Sequence, residues 1–368
     1  MRVLMLSKAL VHGAYQRKCE ELAALPGVTL TVAVPHAWRE PRVGTQQLER
    51  RHTDGYRLEA LPIHFNGRHH MHYYPTLGRL VQQLRPQVFH IDEEAFNPAT
   101  FLALRAGLRV GARCCFFNWA NIDRYYPLPF NLFERYVFRH AAHAIAGNRD
   151  AATIIRRHGY TGPLSILPQF GVDPQLYAPG PPRPADGRFI VGYLGRLVPE
   201  KGVIDLVEAL ALLPAHVIVR IIGDGIERPR ILERAAALGV AARLDLQPLV
   251  SSSQVAAQLQ QIDVLALPSR TWPNWKEQFG RILIEAMSCG VAVIGSSSGE
   301  IPHVVADAGL IIAEGDVAGY AAAIRRLADD AGLRRDLAQR GRARVLDHYT
   351  QAALARSYHE VYRQCLAQ

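Results

Sequence analysis

The stretch that decides the fold is WKEQFGRILIEAMSCGVAVIGSSSGEIP, residues 275–302. Its first apolar run predicts a helix from about Gly280 to Cys289, which the following glycine ends. Its second run, VAVIGS, predicts a buried strand. Glu277 precedes the helix, and Glu285 lies within it among apolar neighbours, where a carboxylate needs a polar partner. One helix–strand unit therefore carries two carboxylates and a glycine.

Strand and helix signals alternate on both sides of this unit. RVLML and TLTVAV read as buried strands around an amphipathic QRKCEELAAL, and FIVGYLG, HVIVRIIG and DVLALPS repeat the strand pattern later. Such repeats predict βαβ units around parallel sheets, and the Pro-rich YAPGPPRPADGR between them predicts a linker. We therefore expect an α/β protein with two doubly wound domains. The predicted parts are a first domain (1–170), a linker (171–187), a second domain (188–349) and a last helix (about 350–368) that packs back on the first domain.

Composition indicates a globular protein. Of the 368 residues, 49% are apolar and 20% charged, which fits two or three domains with large cores. No apolar run reaches the length of about 18 residues that a membrane span needs, and the start does not resemble a signal peptide. The five cysteines are scattered and never spaced C-x-x-C, so we expect reduced thiols in the cytoplasm and no zinc site.

Charge is distributed unevenly along the chain. Residues 1–180 carry 21 Lys/Arg and 13 Asp/Glu, a balance of +8, whereas residues 181–368 carry 21 and 20, a balance of +1. A basic first half and a nearly neutral second half suggest different partners for the two halves. Arginine-rich composition is the alternative, since four of the 42 cations are lysines.

A loop suited to phosphate follows one of the predicted strands. FIVGYLGRLVPEKG (189–202) places Arg196 and Lys201 at the carboxyl end of a strand, where parallel sheets bind ligands. Gly195 lets the backbone approach a ligand closely. An ordinary βα turn with two solvated cations is the alternative. The loop does not match the Walker A pattern, and GDGIER has Arg228 where a dinucleotide fingerprint has its third glycine.

The start of the predicted helix also suits a phosphate. Helix N-termini attract anions, and Gly280 leaves room for one. A carboxylate beside a phosphate is repelled unless it contacts a neutral group, and a sugar hydroxyl is such a group. Glu277 is thus suited to a sugar, and Glu285 to a ribose. A sugar joined through a diphosphate to a nucleoside satisfies all of these features.

These motifs resemble those of a known family. E-Q-F-G-x-x-x-x-E, followed by A-M-S-C-G-V-A-V-I-G and S-G-E-I-P, resembles the donor-binding signature of family 4 glycosyltransferases. G-R-L-V-P-E-K-G resembles their diphosphate loop, and LPQFGVD (167–173) looks like their linker strand. The resemblance is specific over the second domain and topological over the first. It implies the GT-B fold, in which two Rossmann-like domains face each other across a cleft.

The resemblance also implies a reaction. A sugar would move, with retained configuration and without a metal or other cofactor, from a nucleotide sugar to a glycan or lipid-linked acceptor in cell-surface polysaccharide or glycolipid synthesis. Arg196, Lys201 and Glu277 would be catalytic. The donor-binding residues would be Gly13, Gly195, Phe279, Gly280, Arg281 and Glu285. The sequence contains no D-x-D motif, as expected without a metal, because cations can stabilise the leaving charge.

The chain departs from the family pattern at several positions. Many relatives carry a histidine after the fourth or fifth strand of the first domain, where this chain has FNWANIDRYYP with Trp119 and Asn121. His12 and Asn121 are therefore the candidates on the acceptor side. The linker motif has Gln169 or Phe170 in place of asparagine, and Pro248 replaces a glycine in the base-binding stretch.

Two further segments each allow two interpretations. HFNGRHHMHYY has four histidines that suggest a metal, but their spacing fits no fixed ligand pattern, so a mobile acceptor loop is favoured. RYYPLPFNLFERYVFRH (124–140) interleaves arginines with aromatic residues. It either rests peripherally on an anionic membrane or forms a core-facing aromatic helix.

Three other classes of function compete with the transferase. A glycoside hydrolase also uses two carboxylates, but it has no need of Arg196, Lys201 or a phosphate-binding helix. A nucleic-acid-binding protein would use the basic half, yet the sequence contains no recognition motif for nucleic acid. A sugar-nucleotide binding protein or epimerase of the same fold would keep every motif above.

Overall fold

The structure is a computed structural model in which residues 1–40, 44–181, 183 and 186–367 are described. It divides into two compact units, Met1–Gly171 with Gln351–Gln368, and Val172–Thr350. The predicted linker, 171–187, includes residues 182, 184 and 185, which lie outside the described residues. Among the described residues, no helix is both long enough and apolar enough to cross a bilayer.

The first unit contains a seven-stranded parallel sheet and an antiparallel hairpin. Its strands are β1 (Arg2–Leu6), β2 (Thr29–Pro35), β3 (Ala37–Glu40), β4 (Gly44–Gln47), β5 (Arg57–Leu61), β6 (Val88–Ile91), β7 (Arg113–Asn118), β8 (His143–Ala146) and β9 (Leu164–Ile166). Strands β3 and β4 pair as the hairpin, and the others form the sheet in the order β5-β2-β1-β6-β7-β8-β9. The helices between them are α1 (Arg17–Ala23), α2 (Leu77–Leu84), α3 (Pro98–Arg109), α4 (Phe130–His140) and α5 (Arg149–Arg157).

An inner strand, β1, explains why this sheet is covered on both faces. Leu4 and Leu6 of β1 belong to one hydrophobic core cluster, whereas Val3 and Met5 belong to another. Successive side chains of a strand point to opposite faces, so an unbroken apolar run requires a core on each side. The run RVLML therefore has a layer of helices above it and another below.

The second unit repeats this architecture with six parallel strands. They are β10 (Phe189–Leu194), β11 (Val217–Ile222), β12 (Leu244–Gln247), β13 (Val264–Leu267), β14 (Ala292–Ser296) and β15 (Leu310–Ile312), in the order β12-β11-β10-β13-β14-β15. The helices are α6 (Ile204–Leu210), α7 (Arg228–Ala237), α8 (Val255–Leu259), α9 (Arg281–Ser288), α10 (Ile301–Val305), α11 (Val317–Asp329) and α12 (Ala331–His348). Two doubly wound parallel α/β units are thus confirmed.

The last helix, α13 (Gln351–Leu366), belongs to the first unit. Its apolar face joins the core cluster that contains Val3 and Met5. Polar contacts are buried in the same interface: Tyr362 Oη lies 2.8 Å from His90 Nδ1, and the Lys18 ammonium lies 4.1 Å from the ring centre of Tyr358. Burial lowers the pKa of Lys18, and nearby Asp92 opposes that shift.

One prediction of secondary structure is wrong. The motif LPQFGVD was expected to form a strand, but β9 ends at Ile166 and the motif contributes a single β-bridge, between Val172 and Thr350. Leu167 N–H still donates to the carbonyl of Ala146 (2.9 Å). Pro168 follows and has no N–H to donate, so the ladder cannot continue.

Candidate active site

The loop after β10 begins with a tight backbone turn. Gly195 has a φ of +156°, which disfavours other residues, and a Cβ on Gly223 would lie 1.9 Å from the Gly195 carbonyl oxygen. Tyr193 donates from its hydroxyl to the carbonyl of Arg196 (2.7 Å). The Arg196 side chain is exposed. The loop thus has a fixed backbone that presents an accessible guanidinium.

Lys201 ends the same loop and forms an ion pair with Glu277. Its ammonium lies 2.5 Å from Glu277 Oε2, which also accepts a hydrogen bond from the Ser269 hydroxyl (2.8 Å). The carboxylate is buried, since Glu277 is 8% exposed. Two of the predicted catalytic residues, 76 positions apart in sequence, are therefore in direct contact.

The loop between β13 and α9 is fastened to the Lys201 loop. Arg270 N–H donates to the carbonyl of Glu200 (2.8 Å). Gly202 approaches so closely that a Cβ there would lie 2.1 Å from the carbonyl oxygen of Pro268. These backbone contacts fix the distance between the two loops and hence between Lys201 and Glu277.

Two acids, the buried Asp205 and the half-buried Glu314, also hold this loop. Asp205 of α6 pairs with the Arg270 guanidinium; burial raises the pKa of Asp205, and Arg270 opposes the shift. Glu314 accepts from the N–H and the hydroxyl of Thr271, at 2.5 and 2.7 Å. The loop is therefore held in one conformation by charge-assisted hydrogen bonds.

Helix α9 begins as the sequence predicted. Gly280, with a φ of +75°, precedes its first residue, and a Cβ there would lie 2.9 Å from Leu283 Cδ1. Phe279 is buried, and its ring packs against Tyr349 with centroids 5.6 Å apart. The side chain of Phe279 thus packs in the interior, and its backbone is the part suited to contact a ligand.

Glu285 has the polar partners that its apolar surroundings require. Arg281 Nε lies 2.8 Å from Glu285 Oε1, one helical turn away. Burial raises the pKa of Glu285, whereas Arg281 and a hydrogen bond to Tyr177 lower it. The site in this unit therefore contains two buried carboxylates, each with its own cation.

The predicted donor residue of the first unit lies in a pair of 3₁₀ turns after β1. Gly13 N–H donates to Glu49 Oε2 (3.0 Å), and a Cβ on Gly13 would lie 2.5 Å from Arg51 Cγ. An anion that accepts from this amide must first displace Glu49. The preceding residue, His12, has its ring edge-on to Tyr15.

The predicted acceptor-side segment is fixed by a carboxylate that sequence reasoning did not identify. Glu94, after β6, accepts through Oε1 from the N–H groups of Trp119 (3.0 Å) and Ala120 (3.2 Å). Burial raises the pKa of Glu94 to about 7. Asn121, the acceptor-side candidate, is buried immediately beyond.

The acidic run at the end of β6 is paired rather than free to bind a metal. Glu93 contacts the ammonium of Lys8 and lies 3.4 Å from His72 Nε2. Burial raises the pKa of Glu93, but Lys8 and His72 outweigh burial and bring it down to about 2. Asp92 accepts from the hydroxyl of Ser7 (2.6 Å). Within the described residues, no group of three His, Cys, Asp or Glu side chains is placed to hold a metal ion.

Sequence reasoning missed several partners because nothing local marks them. Ser269 lies in the same loop as Glu277, Tyr177 lies in the segment before β10, and Asp205 lies in α6. Their contacts with the site form only on folding. The sequence did offer one signal: a buried acid in an apolar helix, as at Glu285, implies a nearby donor. It does not say which residue supplies that donor.

Two family models match the chain side by side. The model for glycosyl transferases group 1 matches residues 179–344, and the model for a glycosyl transferase 4-like domain matches residues 13–169. The first covers most of the unit that holds Lys201, Glu277 and Glu285. The second covers most of the other unit, including Gly13.

Curated relatives match part of the chain. The D-inositol 3-phosphate glycosyltransferase of Geodermatophilus obscurus is 31% identical over 225 residues, which are 55% of this chain and 49% of the relative. The enzyme of the same name from Mycobacterium tuberculosis is 31% identical over 195 residues, 48% of this chain and 39% of the relative. The chain thus spans about half the length or less of these relatives.

Solved structures match the whole chain at low sequence identity. Sucrose-phosphate synthase from Thermosynechococcus elongatus has a TM-score of 0.71 at 20% identity and covers 100% of this chain and 99% of its own. Anabaena Alr3699/HepE, solved with UDP and glucose, has a TM-score of 0.67 at 18% identity, with 99% of each chain covered. These likenesses establish the GT-B fold. With a family model on each half and this fold throughout, the chain belongs to the group 1, family 4 glycosyltransferases.

Proposed function

We propose that this protein transfers a sugar from a nucleoside diphosphate sugar to a hydroxyl of a glycan or lipid-linked acceptor, with retained configuration, in cell-surface polysaccharide or glycolipid synthesis. The observation that carries the proposal is the contact between Lys201 and Glu277, with Ser269 as third member. A cation suited to phosphate and a carboxylate suited to sugar hydroxyls lie side by side. A donor whose sugar is bonded directly to a diphosphate has the same juxtaposition.

The residues have distinct roles in this reaction. As the bond between the sugar carbon and the diphosphate oxygen breaks, negative charge grows on the diphosphate, where Arg196 and Lys201 stabilise it. Positive charge grows on the sugar, where Glu277 holds the hydroxyls. Glu285, beside Arg281, binds the ribose. The acceptor oxygen forms the new bond to the sugar carbon, and its proton leaves with the nucleoside diphosphate.

The reaction proposed here needs no metal or other cofactor, because side-chain cations neutralise the diphosphate. Activity should therefore persist in excess EDTA. The control is a magnesium-dependent glycosyltransferase assayed in the same buffer, which EDTA should inactivate. If this protein lost activity in EDTA and regained it with magnesium or manganese, the metal-independent mechanism would be wrong.

A thermal-shift panel tests the donor class. UDP-, GDP-, ADP- and dTDP-sugars would each be added to wild type and to Lys201→Met. A ligand at 100 times its dissociation constant adds about 2.7 kcal/mol to the free energy of unfolding. We expect one base to stabilise the wild type and to stabilise Lys201→Met less. If no nucleotide sugar stabilised the wild type, the proposed donor class would be excluded.

The alternative is a sugar-nucleotide binding protein or epimerase of the same fold. Both would pass the thermal-shift test, but they leave the sugar attached to its nucleotide. Incubation with a labelled donor and a panel of acceptors separates the cases. Transfer of label to an acceptor, with release of free nucleoside diphosphate, supports the transferase. NMR of the anomeric proton in the product then tests retention.

A polyol phosphate is a second acceptor class to test. The curated relatives are named for D-inositol 3-phosphate, and the first unit has a cavity of about 370 Å³ whose lining includes Arg124, Arg135 and Arg157 as well as Asp123 and Glu134. Arg157 is paired with Asp123, so Arg124 and Arg135 are the cations suited to a ligand. Arginine forks bind phosphate well. Adding inositol phosphate to the acceptor panel tests whether a polyol phosphate accepts the sugar. If it accepts label, Arg124→Ala and Arg135→Ala should raise its KM and leave the KM for donor unchanged.

A further inference from the structure

Lys201 contacts an aromatic ring as well as a carboxylate. Its Nζ lies 4.9 Å from the ring centre of Trp275, while Glu277 Oε2 lies 2.5 Å away. The Lys201 side chain is 16% exposed. The ammonium is thus held by two different kinds of partner, an anion and the electron-rich face of an indole.

The indole is carried by a short, largely exposed turn of the second unit. Trp272 and Trp275 exchange backbone hydrogen bonds (2.8 and 3.1 Å), which closes the turn TWPNW. Residues 271–274 are exposed, and Trp275 is half-buried. Thr271, at the base of the turn, is anchored on Glu314. The turn is therefore not a core element, yet it is held so that its last ring lies on Lys201.

We propose that Trp275 is a positioning residue for the donor diphosphate, acting through Lys201; this inference rests on the proposed function. A lysine side chain has four flexible carbons and a point charge, so its useful position has to be fixed by its surroundings. In the structure, Glu277 fixes the position of the Lys201 ammonium. When Glu277 binds donor hydroxyls instead, the indole face still attracts the ammonium. A ring face takes up little hydrogen-bonding capacity, so the N–H donors stay available for phosphate oxygens.

Binding of nucleoside diphosphate is the direct test. Calorimetry with UDP, GDP, ADP and dTDP would use wild type, Trp275→Leu and Trp275→Phe. Loss of an aromatic contact to a cation corresponds to roughly 3- to 30-fold weaker binding. We expect that loss for Trp275→Leu with the diphosphate the wild type binds, a smaller loss with the matching monophosphate, and recovery to within about 3-fold for Trp275→Phe. Trp272→Leu, in the same turn, is the matched control and should bind as wild type.

The double variant Lys201→Met/Trp275→Leu separates positioning from a general effect on the turn. If Trp275 acts through Lys201, Trp275→Leu should have no further effect on diphosphate affinity once the lysine is gone. An equal loss in both backgrounds, or no loss in either, would overturn the proposal. Melting temperatures of the variants show whether the turn is needed for folding.

Lysine NMR tests the contact without any ligand. The chain has four lysines, so ¹³C-lysine labelling gives four ε-methylene signals. The Lys201 signal, assigned with Lys201→Met, should be shifted upfield by the indole and should move downfield in Trp275→Leu. Signals of Lys8 and Lys18, which lie over other rings, should stay in place. An unmoved Lys201 signal would overturn this inference but not the proposed function. If the wild type binds no nucleoside diphosphate, the proposed function fails and the positioning role fails with it, although the contact seen by NMR would remain.

Discussion

Arg281 and Glu285 form an ion pair on α9, with 2.8 Å between Arg281 Nε and Glu285 Oε1. Lys201 and Glu277 form a second pair in the same unit. Every residue of these pairs was expected to contact the donor. Because these residues are paired with each other, a bound donor has to replace an ion-pair contact in order to contact either member. Substitution of one member therefore also leaves the other without its ion-pair partner.

The proposed contacts of Arg196 and Lys201 with the donor diphosphate predict the effects of two alanine substitutions. Arg196→Ala and Lys201→Ala should each lower turnover by roughly 10²-fold or more, the scale for losing one preorganised charge stabiliser. Steady-state kinetics with the donor identified by thermal shift would measure it. Arg326→Ala, an exposed cation on α11, is the control and should leave turnover unchanged. If Arg196→Ala and Lys201→Ala both had the kinetics of the wild type, the proposed catalytic role of the two residues would be wrong.

The same two variants should differ in stability. Arg196 is exposed, so Arg196→Ala should change the free energy of unfolding by less than about 0.5 kcal/mol. Lys201→Ala leaves the buried Glu277 carboxylate without its cation and should cost about 1–3 kcal/mol. Denaturant unfolding would measure both. Equal stabilities would mean that water replaces the lysine at no cost.

The sequence predicts the sheets much better than it predicts the contacts within the site. Buried parallel strands such as RVLML and FIVGYL are continuous apolar runs, so they stand out. The hairpin of β3 and β4 was missed because AWRE and GTQQ contain little apolar sequence, and its stability depends on neighbours such as Asn66, which bonds to both Ala37 and Arg39. Polar strands carry no local signal strong enough to predict.

Site residues were proposed from their chemical type and their place after strands, without knowledge of their partners. Lys201 and Glu277 were assigned to different parts of the donor, and nothing in their spacing indicates that they touch. The contact depends on the backbone bond from Arg270 to Glu200 and on the close approach at Gly202. Such tertiary contacts follow from how the loops pack, which no periodicity encodes.

His158 predicts a pH dependence of stability. Its Nε2 lies 2.9 Å from Asp123 Oδ1, and its Nδ1 lies 3.1 Å from Glu134 Oε2. Burial lowers the pKa of His158, but the bonds to Asp123 and Glu134 outweigh it, so the pKa is raised. A raised histidine pKa adds stability that is complete below the unfolded pKa of about 6.5 and is lost as pH rises through the folded pKa.

The melting temperature of the wild type should therefore fall above about pH 6.5 through this group. In His158→Gln it should be lower at pH 6 and should fall less as pH rises. Scanning calorimetry at pH 6, 7 and 8 would measure this. His216→Gln, at an exposed position in the second unit, is the control and should follow the wild type. A His158→Gln profile parallel to that of the wild type would contradict the prediction.

The basic first half predicts a weak, salt-dependent association with anionic lipid vesicles. Tyr125 and Leu128, in the segment before α4, are 85% and 68% exposed, and Leu132, in the first turn of α4, is 52% exposed. Arg124 and Arg135 are close to them in sequence. The other end of α4 packs inward, where Phe138 and Phe116 have ring centroids 5.6 Å apart. Lysine and arginine near a membrane are attracted by its negative surface potential, and salt screens that attraction.

Vesicle co-sedimentation of the full chain tests this prediction. Leu128→Ser/Leu132→Ser should bind less than wild type at every salt concentration, and Ile226→Ser/Leu232→Ser, an exposed apolar pair in the second unit, should bind as wild type. Equal binding to neutral vesicles, or no binding at low salt, would leave the charge asymmetry as a matter of composition.

Substitutions of the two carboxylates of the site should affect the reaction in different ways. Glu277, beside the diphosphate-binding Lys201, is expected to face the transferred sugar, where positive charge develops. Glu277→Gln keeps the size of the side chain and the bond from Ser269 but loses the charge, so it should mainly lower kcat. Glu285, paired with Arg281, is expected to face the ribose, which remains in the product nucleotide. Glu285→Gln should therefore weaken donor and free nucleoside diphosphate alike, and mainly raise KM.

Kinetics and calorimetry with the free diphosphate would separate the two effects. Glu277→Gln also releases Lys201 from its ion pair, so free diphosphate should bind this variant as well as the wild type, or better. The direction of the change in diphosphate affinity distinguishes the two carboxylates. Glu285→Gln removes a ligand contact but does not free Lys201, the cation that binds phosphate. If Glu277→Gln weakened free diphosphate as much as Glu285→Gln did, the proposed division of labour would be wrong.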